Sequence, residues 1–459
     1  METTTGVRHR AGDRVTRREL LRTAGLGVAG LAAAGASLPS RAGAQGAQGT
    51  PVRLVFIAGS YEPQLVRKNL DRFEQQYPNI KVDYTGEASI TYQQKLTAIL
   101  STGARPLDLC YVGDEQLGGW AEAGWLDTLD ARPEVAAYKK DLYPYVLQAM
   151  IYKGKLHGLP YYADYQAFAY NQKMLARADF AAPPATWDDV KTQGLALKKS
   201  ANLEYPMVTG MLKGYPNSFG LYWSMVYGAG GSFFDKEMNP VYPGKDPAAL
   251  AALEWLVEAM HTWKILDPKS IELNINQGRD ALAAEQAVFS DISRYDLQRL
   301  NDASLSKIAG DAKMAPFPTF TRQQPGGSYG WVRMYSITKK SRHKDQAWTL
   351  LQYVGGKDRE GKYHTAKNWN LIKGLGFGYT QLASDPDIIE STNKWGDIKL
   401  MNQQASLAKT RENIKTPWYA EWELFHQAQL QEALLKKASP RDALTASANR
   451  AMALRKEWS

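Results

Sequence analysis

The side chains of this sequence that could do chemistry are aromatic and acidic residues placed beside turn-forming residues. The 459 residues include 13 Trp and 25 Tyr, and many lie next to Gly, Pro or Asp, as in Tyr161–Asp164, Tyr222–Trp223 and Gly330–Trp331. Most such rings must fill the core and the turns. A few would suffice to line a cleft, where aromatic faces stack on an uncharged, ring-shaped ligand and polar groups bind its hydroxyls. The composition therefore favours a binding cleft for a small solute.

Sequence motifs point away from catalysis. The sequence has no P-loop, no GxGxxG after a strand, and no GxSxG that leads from a predicted strand into a predicted helix. Adjacent carboxylates occur at Asp114–Glu115 and Asp188–Asp189, but neighbours in an extended segment point to opposite faces, so adjacency does not favour a catalytic pair. Thr186 instead predicts a helix start, with acids in the first turn. A carboxylate pair for glycoside cleavage need not be close in sequence, so a secreted glycan-active enzyme remains an alternative.

Disulfide, metal and nucleic-acid chemistry find little support in the composition. The lone cysteine, Cys110, allows no intramolecular disulfide, and the run 107–112 around it predicts a buried strand with a core thiol. The six histidines have no HExxH or His-x-His spacing, so we predict no metal site and no cofactor. The formal net charge of +9 is spread along the chain, so we expect no nucleic-acid partner.

The first part of the chain alternates between strand and helix patterns. Predicted strands lie at 52–57, 80–84 and 107–112, and predicted helices near 66–77 and 92–100. This β-α-β-α-β order predicts a parallel sheet with crossover helices. Ligands bind beyond the carboxyl ends of such strands, which here are Gly59–Tyr61 and Gly113–Glu115.

Later segments are richer in helix signals. Asp246 and Ser439 are predicted to cap helix starts, and a helix is predicted over 422–435. Further strands are predicted at 287–290, followed by a loop at 291–295, and at 334–338.

The first 44 residues have the three parts of a bacterial export signal. Paired arginines in Thr16–Arg22 precede an apolar run over 24–38 and a small-residue cleavage triplet, Ala42–Ala44. The arginine pair predicts the twin-arginine route, and the apolar run is shorter than the roughly 20 residues of a membrane anchor. No cysteine lies near the cleavage site for lipid attachment, so we expect a free periplasmic protein cleaved near Ala44. Since folded export often serves cofactor enzymes, an exported redox protein is a further alternative.

Six later segments resemble, in order, the motifs of one protein family. They are Leu107–Leu129, Gly154–Asp164, Tyr170–Leu175, Pro184–Asp189, Gly230–Asp235, and Gly326–Ser341 with Ala347–Trp348. Each motif is degenerate alone, but their shared order over nearly the whole mature chain is specific. The sequence resembles the extracellular solute-binding proteins of ABC importers, in the sugar-binding family 1 that includes maltose-type binding proteins.

This resemblance implies an α/β protein with a two-lobed Venus-flytrap fold, type II-like, in which each lobe is a central sheet flanked by helices. The implied N-terminal lobe covers 50–163 and 328–380, and the C-terminal lobe covers 164–327 and 381–459. A sugar or sugar-like solute would bind between the lobes and favour hinge closure. The closed form of this non-enzymatic monomer would then dock on the permease subunits of the importer.

Two departures from the family pattern leave the charge of the solute open. An Arg-Tyr pair, Arg294–Tyr295, stands where the family commonly has Gly-Trp, and Trp331–Arg333 lies where small residues are usual. Two arginines near a cleft would suit a solute with a carboxylate or phosphate. Each arginine could equally brace the cleft through an ion pair.

The strand ends and the resemblance together indicate the candidate ligand-binding residues. Tyr61, Asp114 and Glu115 follow strands of the first lobe, and Tyr162 and Asp164 lie at the crossing between lobes. The candidates from the second lobe and the later segments are Trp223, Tyr227, Arg294, Tyr295, Trp331, Arg333, Trp369 and Trp418.

Overall fold

The structure, a computed structural model, describes residues 51–59, 61–87, 89–201 and 203–458. The predicted export signal and its cleavage site lie outside these residues. Within them, no helix is both long and apolar enough to cross a lipid bilayer.

Helices and strands alternate along the described chain. The strands are β1 (Val52–Gly59), β2 (Ile80–Glu87), β3 (Leu109–Gly113), β4 (Ile151–Tyr152), β5 (Lys155–Leu156), β6 (Leu159–Asn171), β7 (Met207–Val208), β8 (Phe289–Ser293), β9 (Ala312–Ala315) and β10 (Gly330–Ile337). The α-helices are α1 (Pro63–Gln76), α2 (Ser89–Thr102), α3 (Asp114–Glu122), α4 (Val135–Asp141), α5 (Pro144–Met150), α6 (Gln172–Arg177), α7 (Trp187–Ser200), α8 (Gly220–Gly228), α9 (Ala248–His261), α10 (Ile275–Ala283), α11 (Asp296–Leu300), α12 (Lys344–Gly355), α13 (His364–Lys373), α14 (Pro386–Thr392), α15 (Ile398–Leu407), α16 (Tyr419–Leu434) and α17 (Pro440–Glu457). Short 3₁₀ helices lie at Pro268–Ile271 and Thr380–Ser384.

The first three strands form the predicted parallel arrangement. Strand β1 lies between β2 and β3 and is parallel to both, with α1 and α2 as the crossover helices. Because the three strands run in the same direction, their carboxyl ends lie at one edge of the sheet. That edge carries Tyr61, Asp114 and Glu115.

Strand β6 runs through both halves of the main sheet. Its first half pairs antiparallel with β10, and its second half pairs antiparallel with β8 and β9. Among the described residues the strand order is β2-β1-β3-β10-β6-β8-β7, with β9 also on β6. One continuous strand therefore pairs with β10 along its first half and with β8 and β9 along its second half.

Two hydrophobic cores pack on this sheet. The first surrounds β1, β3 and β10, and it buries the Cys110 thiol completely, as predicted. The second is rich in aromatic rings, including Trp187 and Trp223. We call the structure around these cores the first lobe and the second lobe. The predicted C-terminal lobe includes residues 381–459, yet Ile388 and Met401 from this range pack in the first core. The exact lobe boundaries stay a prediction.

Helix starts follow the predicted caps. The Thr186 hydroxyl accepts the amide of Asp189 at 3.1 Å, and the Asp189 carboxylate accepts the amide of Thr186 at 3.0 Å. The acidic pair that includes Asp189 therefore belongs to a helix N-terminus. Ser439 and Asp246 likewise accept backbone amides at the starts of α17 and α9, at 3.1 and 2.9 Å.

The strand predicted at 287–290 is wrong in its extent. Strand β8 continues to Ser293, through the segment predicted to be a loop. Its polar residues can be buried because Asp291 accepts hydrogen bonds from Gln166 and Thr209, while the backbone pairs with β6. The longer strand carries the chain directly to Arg294 and Tyr295.

Candidate functional site

A cleft between the lobes lies where β1, β3 and β8 end. Tyr61 follows β1, Asp114 and Glu115 follow β3, and Tyr295 lies just beyond β8. Tyr162 lies on β6 and is the most exposed residue of that strand, all the others being buried. Burial raises the pKa of the Tyr61 and Tyr295 hydroxyls, and the neighbouring Tyr162 raises both further. The structure thus brings these predicted site residues together.

Asp114 and Glu115 converge on one arginine. Arg333 Nη1 donates to Asp114 Oδ1 and to Glu115 Oε2, each at 2.8 Å, and the amide of Val332 donates to Asp114 Oδ2 at 3.1 Å. The expectation that the two carboxylates point to opposite faces is wrong, because Asp114 begins helix α3 instead of continuing a strand. The acidic pair therefore forms one ion-pair network with Arg333.

Burial and charge have opposite effects within this network. Burial raises the pKa of Asp114, and the Arg333 charge offsets only part of that effect. Burial also raises the pKa of Glu115, but there Arg333 and the Asp114 hydrogen bond outweigh it, and the pKa falls below its usual range. At neutral pH the network therefore holds the Arg333 charge against an ionised Glu115.

Arg294 forms a buried ion pair with Asp164. Arg294 Nε and Nη2 donate to the two Asp164 oxygens at 2.8 and 2.9 Å, and Nη2 also donates to the carbonyl of Gly374 at 2.7 Å. The amide of Gly376 donates to Asp164 Oδ2 at 2.8 Å. Both side chains are almost fully buried, so the structure gives this arginine the bracing role.

Two candidate tryptophans lie behind the cleft. The Tyr61 ring is 44% exposed and stacks on Trp369, with ring centroids 5.9 Å apart. Trp369 itself is buried and also contacts Tyr161. Trp331 is buried too, with its ring 5.6 Å from that of Tyr329. Both indoles support rings that lie nearer to the cleft.

Three other aromatic candidates are packed inside the second core. Trp223 is fully buried, with the Phe233 ring 4.3 Å away, and Tyr227 is fully buried on the same helix. Trp418 packs on Phe234 at 5.6 Å. All residues of helix α8 are buried, so no face of this helix is open to a ligand. In this structure these three rings have packing partners and no side-chain surface in the cleft.

A cavity of about 320 Å³ lies in the cleft and is lined from both lobes. Glu115 and Arg333 line it from the first lobe, and Tyr215, Arg411 and Tyr419 line it from the second. The last three were not among the residues proposed from sequence. The volume is at the lower end of the range of about 300–1,000 Å³ that is usual for small-molecule sites.

Tyr215 had a recognisable sequence signal. It lies in Gly214-Tyr215-Pro216-Asn217, a turn-forming run between β7 and α8. The amide of Gly214 donates to Gln427 Oε1 at 2.7 Å, and Asn276 Nδ2 donates to the Tyr215 hydroxyl at 3.1 Å. A turn-rich run beyond the carboxyl end of a strand is the pattern that could have identified it.

Arg411 lines the cavity and packs against neighbouring aromatic rings. Its guanidinium lies 4.6 Å from the centre of the Tyr329 ring and 4.8 Å from that of Trp223. It also pairs with Glu423 at 2.9 Å. Cation–π contact and charge pairing together fix this side chain, and no local sequence pattern marks it.

Among the described residues, no group of three or more His, Cys, Asp or Glu side chains is arranged to hold a metal ion.

Sequence comparisons identify relatives of this chain. The sequence profile of the family described as bacterial extracellular solute-binding protein matches residues 53–359. The mannitol-binding protein of Pseudomonas aeruginosa is 25% identical over 302 residues, which are 63% of this chain and 67% of that protein. The maltotriose-binding protein of Pyrococcus abyssi is 22% identical over 315 residues, which are 66% and 62% of the two chains.

Solved structures share the fold. Maltose-bound MalE3 of T. maritima has a TM-score of 0.74 at 18% identity, covering 88% of this chain and 99% of that chain. An ABC transporter solute-binding protein from Agrobacterium vitis with bound D-mannitol has a TM-score of 0.68 at 18% identity, covering 88% and 98%. These likenesses confirm the predicted two-lobed α/β fold.

The family profile covers more than half of the chain, and the fold agrees with it. The family prediction from sequence is therefore confirmed, and this chain belongs to the bacterial extracellular solute-binding protein family.

Proposed function

We propose that this protein captures a neutral sugar or polyol between its lobes and delivers it to the permease of an ABC importer. The observation that carries the proposal is the pairing of the three arginines that the structure describes around the cleft. Arg333 pairs with Asp114 and Glu115, Arg294 with Asp164, and Arg411 with Glu423. A cleft with balanced charges suits hydroxyls, which both donate and accept hydrogen bonds, better than it suits an anion.

The proposed contacts are residues at the interlobe cleft that keep some accessible surface. Glu115 and Arg333 line the cavity and provide polar groups for hydroxyls, while Tyr61, Tyr162 and Tyr295, which follow or lie on neighbouring strands, provide aromatic faces. Two relatives support the ligand class, since one is a mannitol-binding protein and one a maltotriose-binding protein. The three arginines described around the cleft are all paired with carboxylates, which does not favour the acidic-solute alternative.

Closure of the lobes on the ligand is the proposed mechanism. A ligand that contacts both lobes favours the closed form only by its preference for that form. Strand β6 crosses between the lobes, and the chain crosses again near Tyr329, which pairs with the segment at Lys409. We propose that the closed monomer docks on the permease and does no chemistry on its ligand, since the relatives are binding proteins. Twin-arginine export to the periplasm is proposed from the leader sequence.

Calorimetry on the mature protein tests this function. Mannitol, ribitol, maltose and maltotriose are titrated beside citrate and glucuronate, and each compound is also screened by thermal shift, because a ligand that binds only the folded state raises its melting temperature. We expect one or more neutral compounds to bind and the two anions to fail. Tight binding of only an anion, or hydrolysis of aryl glycosides, would contradict the proposal.

A matched pair of tyrosine variants locates the site. Tyr162→Ala is expected to weaken binding of the neutral ligand at least about tenfold, because it removes a ring that faces the cleft. Tyr77→Ala is the control, since Tyr77 is also partly buried but lies at the end of α1. Equal losses in both variants would remove Tyr162 from the proposed site.

A further inference from the structure

A second cavity lies at the opposite end of the first lobe from the cleft. Its volume is about 610 Å³. It is lined by the start of β1, by the segment 99–108 ahead of β3, and by residues 338–343 after β10. The interlobe cleft lies beyond the other ends of β1 and β3, so a strand length separates the two sites. We call this second cavity the basic groove.

Four of the residues that line the groove are arginine or lysine. Arg105, Lys340 and Arg342 are exposed, and none has a carboxylate within 4.0 Å among the described residues. Arg53 also lines the groove but pairs with Asp83 at 2.9 Å. Three cations therefore line the groove with no partner of opposite charge in the described part of the chain.

The one carboxylate in the lining is already satisfied. Asp108 is buried, its Oδ2 accepts the amide of Val55 at 2.9 Å, and its Oδ1 accepts the hydroxyl of Ser341 at 2.6 Å. These bonds turn Asp108 toward the protein interior. The carboxylate thus organises the floor of the groove and leaves the cations at its rim uncompensated.

The position of Lys340 is shaped by a glycine. Gly103 ends helix α2 with φ +65, and a Cβ at this position would lie 2.7 Å from Lys340 Nζ and 3.5 Å from its Cδ. The lysine side chain therefore runs along the bare backbone of Gly103. The amino end of α12, with His343 as its capping residue, lies in the same lining and adds the positive end of a helix dipole.

We propose that the basic groove binds a compact multivalent anion, of the phosphate-ester or polycarboxylate class, independently of the solute in the interlobe cleft. Three convergent cations match two or more negative charges, and arginine donors fit phosphate and carboxylate oxygens in bidentate geometry. A concave volume of about 610 Å³ suits a small molecule better than a flat membrane surface. This second binding site is additional to the solute capture proposed for the interlobe cleft.

Titration calorimetry with inorganic pyrophosphate, and separately with citrate, tests the groove in the full mature protein at low ionic strength. We expect binding with one anion per protein that weakens as salt is added. Lys340→Met combined with Arg342→Gln is expected to weaken pyrophosphate binding at least about tenfold. The control is Lys236→Met with Arg441→Gln, which removes the same charge from exposed positions on the second lobe.

Three outcomes would overturn the proposal. Equal losses in the groove variant and the control, or a stoichiometry well above one, would mean diffuse surface attraction. Loss of pyrophosphate binding in Tyr162→Ala would place the anion in the interlobe cleft. Binding to phosphatidylglycerol vesicles that pyrophosphate does not displace would make the patch a membrane contact. Unchanged far-ultraviolet circular dichroism of every variant excludes misfolding as the cause of a loss.

Discussion

At the scale of single residues, the partners of a charge decide what it can do. Arg294 and Arg333 both looked available for an anionic solute in the sequence. In the structure the first lies in a bidentate pair with Asp164, and the second bridges Asp114 and Glu115. Removing one member of a buried pair costs roughly 3–5 kcal/mol, because the other charge stays buried. These two arginines therefore stabilise the structure of the cleft, because their positive charges are paired with carboxylates.

Glu412 provides a test of buried charge beside the second core. It accepts a hydrogen bond from the Tyr227 hydroxyl at 3.3 Å, and burial raises its pKa to about 7. Since the pKa in the folded state is above that of the unfolded chain, the contribution of this carboxyl to folding stability falls as pH rises from about 4.5 to 7. Glu412→Gln cannot ionise. We expect the variant to be more stable than the wild type by about 1–3 kcal/mol at about pH 8.5 and nearly equal to it at about pH 5.

Urea unfolding at both pH values measures this difference. His426, whose pKa burial lowers to about 3, also makes stability depend on pH. That histidine is present in both proteins, so its effect cancels in the comparison. A variant that is equally destabilised at both pH values would show that Glu412 matters only as a hydrogen-bond acceptor.

At the scale of elements, one helix meets the segment after α15 at very close range. Helix α3 carries Gly118, where a Cβ would overlap the carbonyl oxygen of Lys415 and lie 2.6 Å from its carbonyl carbon. Lys415 also donates to the carbonyls of Gln148 and Ile151 in the first lobe. The segment around Lys415 is therefore fixed to the first lobe by both its backbone and its side chain.

Two neighbouring glycines allow a controlled test of this contact. Gly118→Ala is expected to destabilise the protein by about 1–3 kcal/mol, because the added methyl group forces two backbones apart. Gly119→Ala, next to it on the same helix, meets nothing within 4 Å and is expected to be neutral or to stabilise by up to about 1 kcal/mol through helix propensity.

Urea unfolding of both variants measures the changes in stability. A shift of the midpoint with an unchanged dependence of the unfolding free energy on urea concentration reports stability alone. Equal stabilities for the two variants would show that the segment at Lys415 moves away from α3 without cost. In that case the contact would not hold the lobes at their present spacing.

At the scale of the whole molecule, β6 couples the two cores. Its residues before Gln166 pair with β10 in the first lobe, and its later residues pair with β8 and β9 in the second. Ala167 and Ala169 belong to the first core, while Phe168 between them belongs to the second. Unfolding of the second lobe would therefore withdraw Ala167 and Ala169 from the first core.

This shared strand predicts one cooperative unfolding transition for the protein. We expect the calorimetric enthalpy to equal the van't Hoff enthalpy, and melting curves from tryptophan fluorescence and circular dichroism to coincide. Scanning calorimetry checks the first point and parallel melts the second. Two resolved transitions would mean that the lobes behave as independent domains despite the continuous strand.

Local patterns in the sequence determined many of the helices, strands and candidate site positions of this protein. Helix caps such as Thr186, the parallel start of the sheet, the buried thiol of Cys110 and the strand ends at Tyr61 and Glu115 all followed from periodicity and turn chemistry. The order of six degenerate motifs identified the family. Each of these features depends on residues that are neighbours along the chain, or on spacing within a short window.

The tertiary structure alone decided which of these residues face the solute. Trp223 and Tyr162 each follow a tyrosine in the sequence, yet Trp223 lies inside the second core and Tyr162 keeps accessible surface. Arg294 and Asp164 are 130 residues apart, and Arg333 and Asp114 are 219 apart, before they pair. The physical reason is that side-chain accessibility and ion pairing depend on what packs nearby in space, and no local period carries that information.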